Sequence, residues 1–189
     1  MIGGTFEYLV SSLPSLSFQN TEEAKGRVFS LLQKYAGVGG NEKSLVEILD
    51  SEAEKFLPVS TFYIFQKINL RNIYDLEFQQ SKSSVLSTFS RFTFDLKNEI
   101  KQLRISQKEN EEKSLKSNLE KLIGHGTPLE KEIQIMKYQW EKLEELSVGH
   151  FSDLEALITY KIKLMILLRW WSFHVERGFE NFTRMSTNN

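Results

Sequence analysis

Histidine is the side chain best suited to bind a metal and to transfer a proton near neutral pH, and the chain has three, His125, His150 and His174. No two of them have the His-x3-His or His-Glu-x-x-His spacing that places zinc ligands on one face of a helix. The chain has no cysteine, which excludes thiolate nucleophiles and cysteine-based metal sites. We interpret each histidine as a capping, packing or solvated residue, and predict no metal and no cofactor.

Two glycine-containing segments invite comparison with phosphate sites, because backbone N–H groups at a helix start attract anions. Gly37-Val38-Gly39-Gly40 has no clear strand before it and no Lys-Ser or Lys-Thr pair after it, so it matches neither the P-loop nor the dinucleotide fingerprint. A tight turn followed by a helix cap explains every residue of Gly124-His125-Gly126-Thr127-Pro128. No Gly-x-Ser-x-Gly element occurs either, so we find no catalytic candidate and predict that the protein is not an enzyme.

The charge of the chain is balanced, with 24 basic and 25 acidic residues and a formal net charge of −1. A balanced chain has no overall field to attract polyanions, and acidic residues interrupt the densest basic region, Lys97–Lys121. We therefore predict no nucleic-acid partner. The hydrophobic content of 40% is ordinary for a globular protein with a sizeable core.

Export and membrane insertion are not expected. Met1–Glu7 lacks the basic region and the apolar core of a signal peptide. No window approaches the roughly 18 uninterrupted apolar residues of a spanning helix. We predict a soluble, cytoplasmic protein that is at most peripheral on the cytoplasmic face of a membrane.

The first half of the chain has mainly helical hydrophobic spacing. Phe6–Leu13 is interpreted as a short strand or a buried extended piece, because Pro14 disfavours helix at Leu13. Helices are predicted from an Asn20 cap to Tyr35, from an Asn41 cap to about Pro58, and from Thr61 to Phe78. We expect the third to bend near Asn69 or Asn72, and its aromatic and β-branched residues leave a strand as an alternative.

A long helix is predicted over Lys82–Asn110. It runs into the charged segment Lys108–Lys113, which is either a solvated turn or a charged patch for a partner. Leucines with three- and four-residue spacing follow at 115, 119 and 122. Folding at the charged segment would pair these leucines with the stripe of Leu96, Ile100 and Leu103 in an antiparallel helical hairpin.

Two capping-box signatures, Thr127-Pro128-Leu129-Glu130 and Ser152-Asp153-Leu154-Glu155, predict the starts of the last two helices. The final helix is apolar on nearly all sides between Leu154 and Trp171, so we expect it to be central and buried. The predicted fold is all-α, a multi-helix bundle with an antiparallel helical hairpin and a buried C-terminal helix. We treat 1–189 as a single helical domain, with two helical lobes (about 1–80 and 81–189) as the alternative.

The end of the final helix supplies a further candidate binding surface. Arg169, Trp170, Trp171 and Arg177 form an aromatic and basic group, and tryptophan and arginine are the residues most often found at interface hot spots. Core packing of the tryptophans is the simpler interpretation of this group. A partner interface at Arg169, Trp170, Trp171 and Arg177 is the alternative, and it stays a prediction.

Two parts of the chain carry a family resemblance. The first is Tyr8-Leu9-Val10-Ser11-Ser12-Leu13-Pro14-Ser15-Leu16-Ser17-Phe18. The second comprises Pro128-Leu129-Glu130, Trp140-Glu141-Lys142-Leu143, Gly149-His150-Phe151-Ser152-Asp153-Leu154-Glu155-Ala156-Leu157, Tyr160, Lys163-Leu164 and Leu168-Arg169-Trp170. Both resemble a bacterial family of unknown function encoded within V-type ATPase operons. That family is in turn similar to the all-helical d-type adaptor of V/A-type ATPases, of which it looks like a divergent counterpart.

The resemblance implies a non-enzymatic adaptor that links the central stalk of the ATPase to the membrane proteolipid ring. Its partners would be other V-type ATPase subunits. The chain is shorter than a typical d-type adaptor, so the complete three-part funnel of that protein is not expected. The alternatives are a helical protein–protein interaction protein unrelated to rotary ATPases, and an enzyme or small-molecule binder whose site is assembled from scattered residues.

Overall fold

The computed structural model describes residues 5–35, 44–108 and 126–173. Within these ranges the chain forms eight α-helices and no β-strand, which confirms the predicted all-α fold. The helices are α1 (Thr5–Ser12), α2 (Glu22–Gln33), α3 (Leu45–Glu54), α4 (Val59–Lys67), α5 (Leu76–Gln79), α6 (Ser84–Lys108), α7 (Pro128–Leu146) and α8 (Leu154–Trp171).

The first segment is helical, so its interpretation as a strand or an extended piece is wrong. Leu13 lies outside α1, as expected for a residue that precedes a proline. Leu9 is buried in the core, and Tyr35 ties the end of the helix to α2 by donating a hydrogen bond from its hydroxyl to the carbonyl oxygen of Ser12 (3.2 Å). Eight residues are too few for hydrophobic spacing alone to separate helix from strand.

The starts of α2 and α3 correct two predicted caps. Thr21, and not Asn20, caps α2 by accepting a hydrogen bond from the Ala24 N–H. Ser44 caps α3 in a complete capping box with Glu47, whereas Asn41 lies outside the described residues. A reciprocal box satisfies two backbone donors at once, so it outcompetes a single asparagine cap nearby.

The segment from Thr61 to Phe78 is broken, and the strand alternative is wrong. Helix α4 ends at Lys67, and α5 begins only at Leu76. In the connection Asn69 accepts a hydrogen bond from the Arg71 N–H, while Asn72 accepts one from the Asn69 N–H and donates one to the Lys67 carbonyl. Asparagine side chains that bond to nearby backbone in this way compete with helical hydrogen bonds, so the expected bend becomes a break.

Helix α8 is the centre of the fold, packed against α3, α6 and α7. Buried positions occur on all of its sides, among them Leu157, Ile158, Ile162, Leu164, Met165, Ile166 and Leu167. The prediction of a buried C-terminal helix is therefore confirmed. One hydrophobic cluster joins α8 to residues as distant in sequence as Leu9 and Phe65.

The connection between α7 and α8 turns at Gly149, whose φ of +89° is the left-handed conformation that glycine adopts at low cost. The two helices pack against each other. The hairpin predicted from the stripe at Leu115, Leu119 and Leu122 lies outside the described residues. The division of the chain into one domain or two lobes stays a prediction.

Candidate partner-binding surface

The predicted interface residues at the end of α8 lie in different surroundings. Arg169 is exposed, and its guanidinium donates to the Glu132 carboxylate of α7 at 2.6 Å. Trp170 is half-buried and Trp171 is buried. Arg177 lies outside the described residues. Of the four, Arg169 is the one that the structure shows at an accessible surface, where it borders a groove between α6 and α7.

Both tryptophans contact the N-terminal part of this chain. The ring of Trp170 stacks on that of Phe18 with 4.3 Å between centroids. The indole N–H of Trp171 donates to the Gln19 carbonyl at 2.9 Å, and its ring lies 6.2 Å from that of Phe29. These contacts hold the segment between α1 and α2 against the end of α8. Binding of a partner at these residues stays a prediction.

The groove, of about 820 Å³, follows three turns of α6 and is closed by α7, by the α4–α5 connection and by Arg169. Its apolar lining residues are Leu70, Phe94, Leu96, Ile100, Ile105 and Ile135. Phe94 and Ile105 remain about 40% exposed, at 44% and 39%, and lie on the same groove as the other apolar lining residues. Within the described residues, the groove therefore presents a continuous stretch of apolar surface.

The groove is also basic. Its lining includes Arg71, Lys97, Lys101, Arg104 and Arg169, against the single carboxylate of Glu132. Arg169 is paired with that carboxylate, and Lys97 lies over the Tyr74 ring at 3.5 Å. The side chains of Arg71, Lys101 and Arg104 have no ion-pair partner within the ranges that the structure describes. A locally basic surface thus exists on a chain whose overall charge is balanced.

A buried ion pair that the sequence analysis missed connects α8 to α3 and α4. Lys161 is fully buried, and its ammonium donates to Asp50 Oδ1 at 2.6 Å, to the Phe65 carbonyl at 2.7 Å and to the Gln66 carbonyl at 3.3 Å. All three N–H donors of the lysine are therefore used. The ammonium also lies 4.5 Å from the centre of the Phe65 ring.

Burial dominates the electrostatics of this pair. Burial lowers the pKa of Lys161 and raises the pKa of Asp50, and their mutual attraction opposes both changes. The carbonyls of Phe65 and Gln66 belong to the last turn of α4, where the helix dipole favours a cation. With no part of its side chain accessible, Lys161 positions three helices and is not available to a ligand.

Glu155 is a second residue whose role the sequence did not indicate. The predicted box from Ser152 is wrong, because Asp153 caps α8 by accepting a hydrogen bond from the Ala156 N–H. The Glu155 carboxylate instead accepts from the N–H groups of Ser84 (3.0 Å) and Val85 (3.2 Å) at the start of α6. An acidic group at a helix N-terminus satisfies free donors and complements the helix dipole. The Thr127–Glu130 box is confirmed at the start of α7.

Of the three histidines, only His150 lies in the described residues. Its Nδ1 is 2.6 Å from Asp153 Oδ2, and this hydrogen bond raises the pKa of His150.

The part of the chain that the structure describes contains no group of three or more histidine, aspartate or glutamate residues placed to hold a metal. The Gly37–Gly40 segment and His125 lie outside it. None of the described helices is long and apolar enough to span a bilayer.

The fold and this surface define a class of protein: an all-helical body, in the residues described, with a basic and apolar groove beside its buried last helix. The chain belongs to the family described as "Protein of unknown function (DUF2764)", whose model matches residues 93–187, half of the chain. The match covers α7, α8 and most of α6. No curated protein and no solved structure matches the chain. The predicted membership of a family of unknown function is thus confirmed, while the link to V-type ATPases stays a prediction.

Proposed function

We propose that this protein is a non-enzymatic helical adaptor subunit of a V-type (V/A-type) ATPase that links the central stalk to the membrane proteolipid ring. The observation that carries the proposal is the central position of α8, which brings residues from both ends of the described chain into one core. The resemblance of residues 8–18 and 128–170 to the family encoded in V-type ATPase operons supplies the identity of the partners.

An adaptor between a stalk and a ring transmits torque without making or breaking a covalent bond, so it needs stiffness. Protein interiors are as densely packed as organic crystals and transmit strain accordingly. Here the stacking of Phe18 on Trp170 and the bonding of Lys161 to α3 and α4 join distant parts of the chain to one helix. Such a body resists deformation between two attached partners.

Co-purification tests the proposal directly. The full chain, carrying an affinity tag at its natural expression level, is captured from gently solubilised native membranes, and the bound proteins are identified by mass spectrometry. We expect stalk and proteolipid subunits of the ATPase in the bound fraction. Capture without any ATPase subunit would refute the proposal, as would the absence of ATPase genes beside the gene for this chain.

The second candidate function is that of a helical interaction protein unrelated to rotary ATPases. The groove on α6 favours it, since an accessible apolar and basic surface suits a protein partner of any system. The same capture experiment separates the two. Reproducible capture of one defined protein complex without ATPase subunits would favour this second function.

A further inference from the structure

We propose that the groove between α6 and α7 binds an amphipathic acidic helix of a partner protein. This inference rests on the proposed function and deepens it: it names the surface through which the adaptor would bind a partner. The occupant is defined by its chemistry: one apolar face flanked by glutamate or aspartate side chains.

The charges of the groove select the sign of the ligand. Lys101 and Arg104, which have no ion-pair partner among the described residues, contribute cations to the groove from neighbouring turns of α6, and Arg71 adds a third from the α4–α5 connection. The two acidic residues of α6, Asp95 and Glu99, do not line it. A carboxylate-bearing ligand therefore meets cations that no group of the described chain has neutralised, which favours its approach and its correct register.

The apolar lining selects the kind of ligand. Phe94, Ile100 and Ile105 lie along α6, and Ile135 lies on α7, so the apolar surface runs between two helices. From Thr93 to Ile105 the lining extends over about 18 Å, the length of about three helical turns. A helix laid into such a groove buries residues spaced three and four apart on one face. A nucleic acid would leave this apolar surface in contact with phosphates and water.

A designed peptide tests the ligand chemistry. The probe is a fluorescein-labelled synthetic peptide of about 14 residues with leucine on one helical face and glutamate on its flanks, about 21 Å long as a helix. Two comparison peptides replace every glutamate by lysine or every leucine by serine. We expect the purified full chain to bind the first peptide in fluorescence anisotropy, and to bind each comparison peptide at least about tenfold more weakly.

A charge-reversed variant locates the binding. Lys101→Glu combined with Arg104→Glu is expected to weaken the binding of the leucine–glutamate peptide by about tenfold or more, because like charges then face each other. The matched control is Lys34→Glu with Lys82→Glu, which makes the same change of charge at exposed lysines away from the groove. The control is expected to bind like the unchanged chain. Equal weakening in both variants would overturn the proposal.

Other occupants of the groove give different results, each of which would refute the proposal. Tighter binding of a labelled oligonucleotide than of the peptide would indicate a nucleic-acid site. A change in oligomeric state of the reversed variant in light scattering would indicate a second copy of this chain. A lower Tm in the reversed variant than in its control would show that these cations act within the fold.

The same variants distinguish this inference from the proposed function. If the unchanged chain captures ATPase subunits and the reversed variant captures them equally well, the groove is not the docking surface and the adaptor function stands. If the peptide binds in the groove but the unchanged chain captures no ATPase subunit, the groove proposal stands and the adaptor function fails.

Discussion

Lys161 shows how one residue can hold three helices together. A buried ammonium is costly unless each of its donors has an acceptor, and here the acceptors come from α3 and from the last turn of α4. Lys161 is the one charged residue that is fully buried among the described residues of α8. Its role is structural, because no solvent reaches it.

Replacing Lys161 by methionine should lower the free energy of unfolding by about 3 kcal/mol, because it leaves the Asp50 carboxylate and two carbonyls without their donor. Urea denaturation followed by circular dichroism measures this loss. The matched control, Lys82→Met, removes an exposed lysine and should change stability by less than about 0.5 kcal/mol. Equal effects of the two substitutions would show that the buried bonds contribute nothing net.

The His150–Asp153 pair should make stability depend on pH. The hydrogen bond to Asp153 raises the pKa of His150 above 6.5, so its stabilisation is complete below pH 6.5 and is lost as the pH rises through the folded-state pKa. For Asp153, burial acts to raise the pKa, but the hydrogen bonds from His150 and the Ala156 N–H lower it on balance. Its contribution is therefore lost only in acid, as the pH falls through that lowered pKa.

We accordingly expect the Tm of the unchanged chain to fall more between about pH 5.5 and about pH 8.5 than the Tm of a His150→Gln variant, since glutamine does not titrate. Comparing the two proteins cancels the contribution of the other histidines. Thermal melts in matched buffers measure both values. Parallel pH profiles of the two proteins would contradict this linkage.

At the level of helices, the start of α6 depends on a residue of α8. Glu155 accepts from the N–H groups of Ser84 and Val85, and Ser83 adds a local cap by accepting from the Leu86 N–H at 3.0 Å. The longest described helix is thereby positioned relative to the central one.

Replacing Glu155 by alanine should cost about 1–2 kcal/mol and should increase hydrogen exchange at the first amides of α6, because the Ser83 hydroxyl and the N–H groups of Ser84 and Val85 lose their acceptor. The control, Glu99→Ala, removes an exposed carboxylate from the middle of the same helix and should have little effect. Hydrogen exchange with mass spectrometry distinguishes them. Unchanged exchange at Ser84–Leu86 in Glu155→Ala would rule out the cap.

For the whole molecule, the continuous core has a thermodynamic consequence. Helix α8 contributes to contacts with α3, α6 and α7, so no subset of these helices keeps its core when α8 is lost. A chain of this kind should unfold in one cooperative step. Two independent lobes, about 1–80 and 81–189, would instead give two transitions.

Denaturation of the full chain should therefore show coincident transitions by tryptophan fluorescence and by far-ultraviolet circular dichroism. Leu164→Ala, at a fully buried position of α8, should shift both transitions together and cost about 2–5 kcal/mol. Separate midpoints for the two probes, or a shift in only one of them, would show that the chain consists of two lobes.

Sequence patterns predicted correctly those features of the structure that depend on residues close together in the chain. The Thr127–Glu130 box predicted the start of α7, and the unbroken apolar run from Leu154 to Trp171 predicted a buried last helix. Both features arise from contacts within a few residues or from the hydrophobicity of one segment. Competing local caps were harder to rank. Thr21 caps α2 in place of its neighbour Asn20 through hydrogen-bond geometry that the sequence does not encode, whereas the Ser44-x-x-Glu47 pattern of the α3 cap is present in the sequence and was not recognised.

The sequence by itself determined the helical class, the approximate positions of most of the helices and the burial of the last one, but not the helical state of the first segment. Only the tertiary structure decided which side chain meets which: Glu155 reaches Ser84 across 71 positions, Lys161 reaches Asp50 across 111, and the cations of α6 face a groove and not bulk solvent. The reason is physical. A carboxylate can accept from many donors and an ammonium can donate to many acceptors equally well in an isolated segment, so the partner of each is fixed only when packing excludes the alternatives.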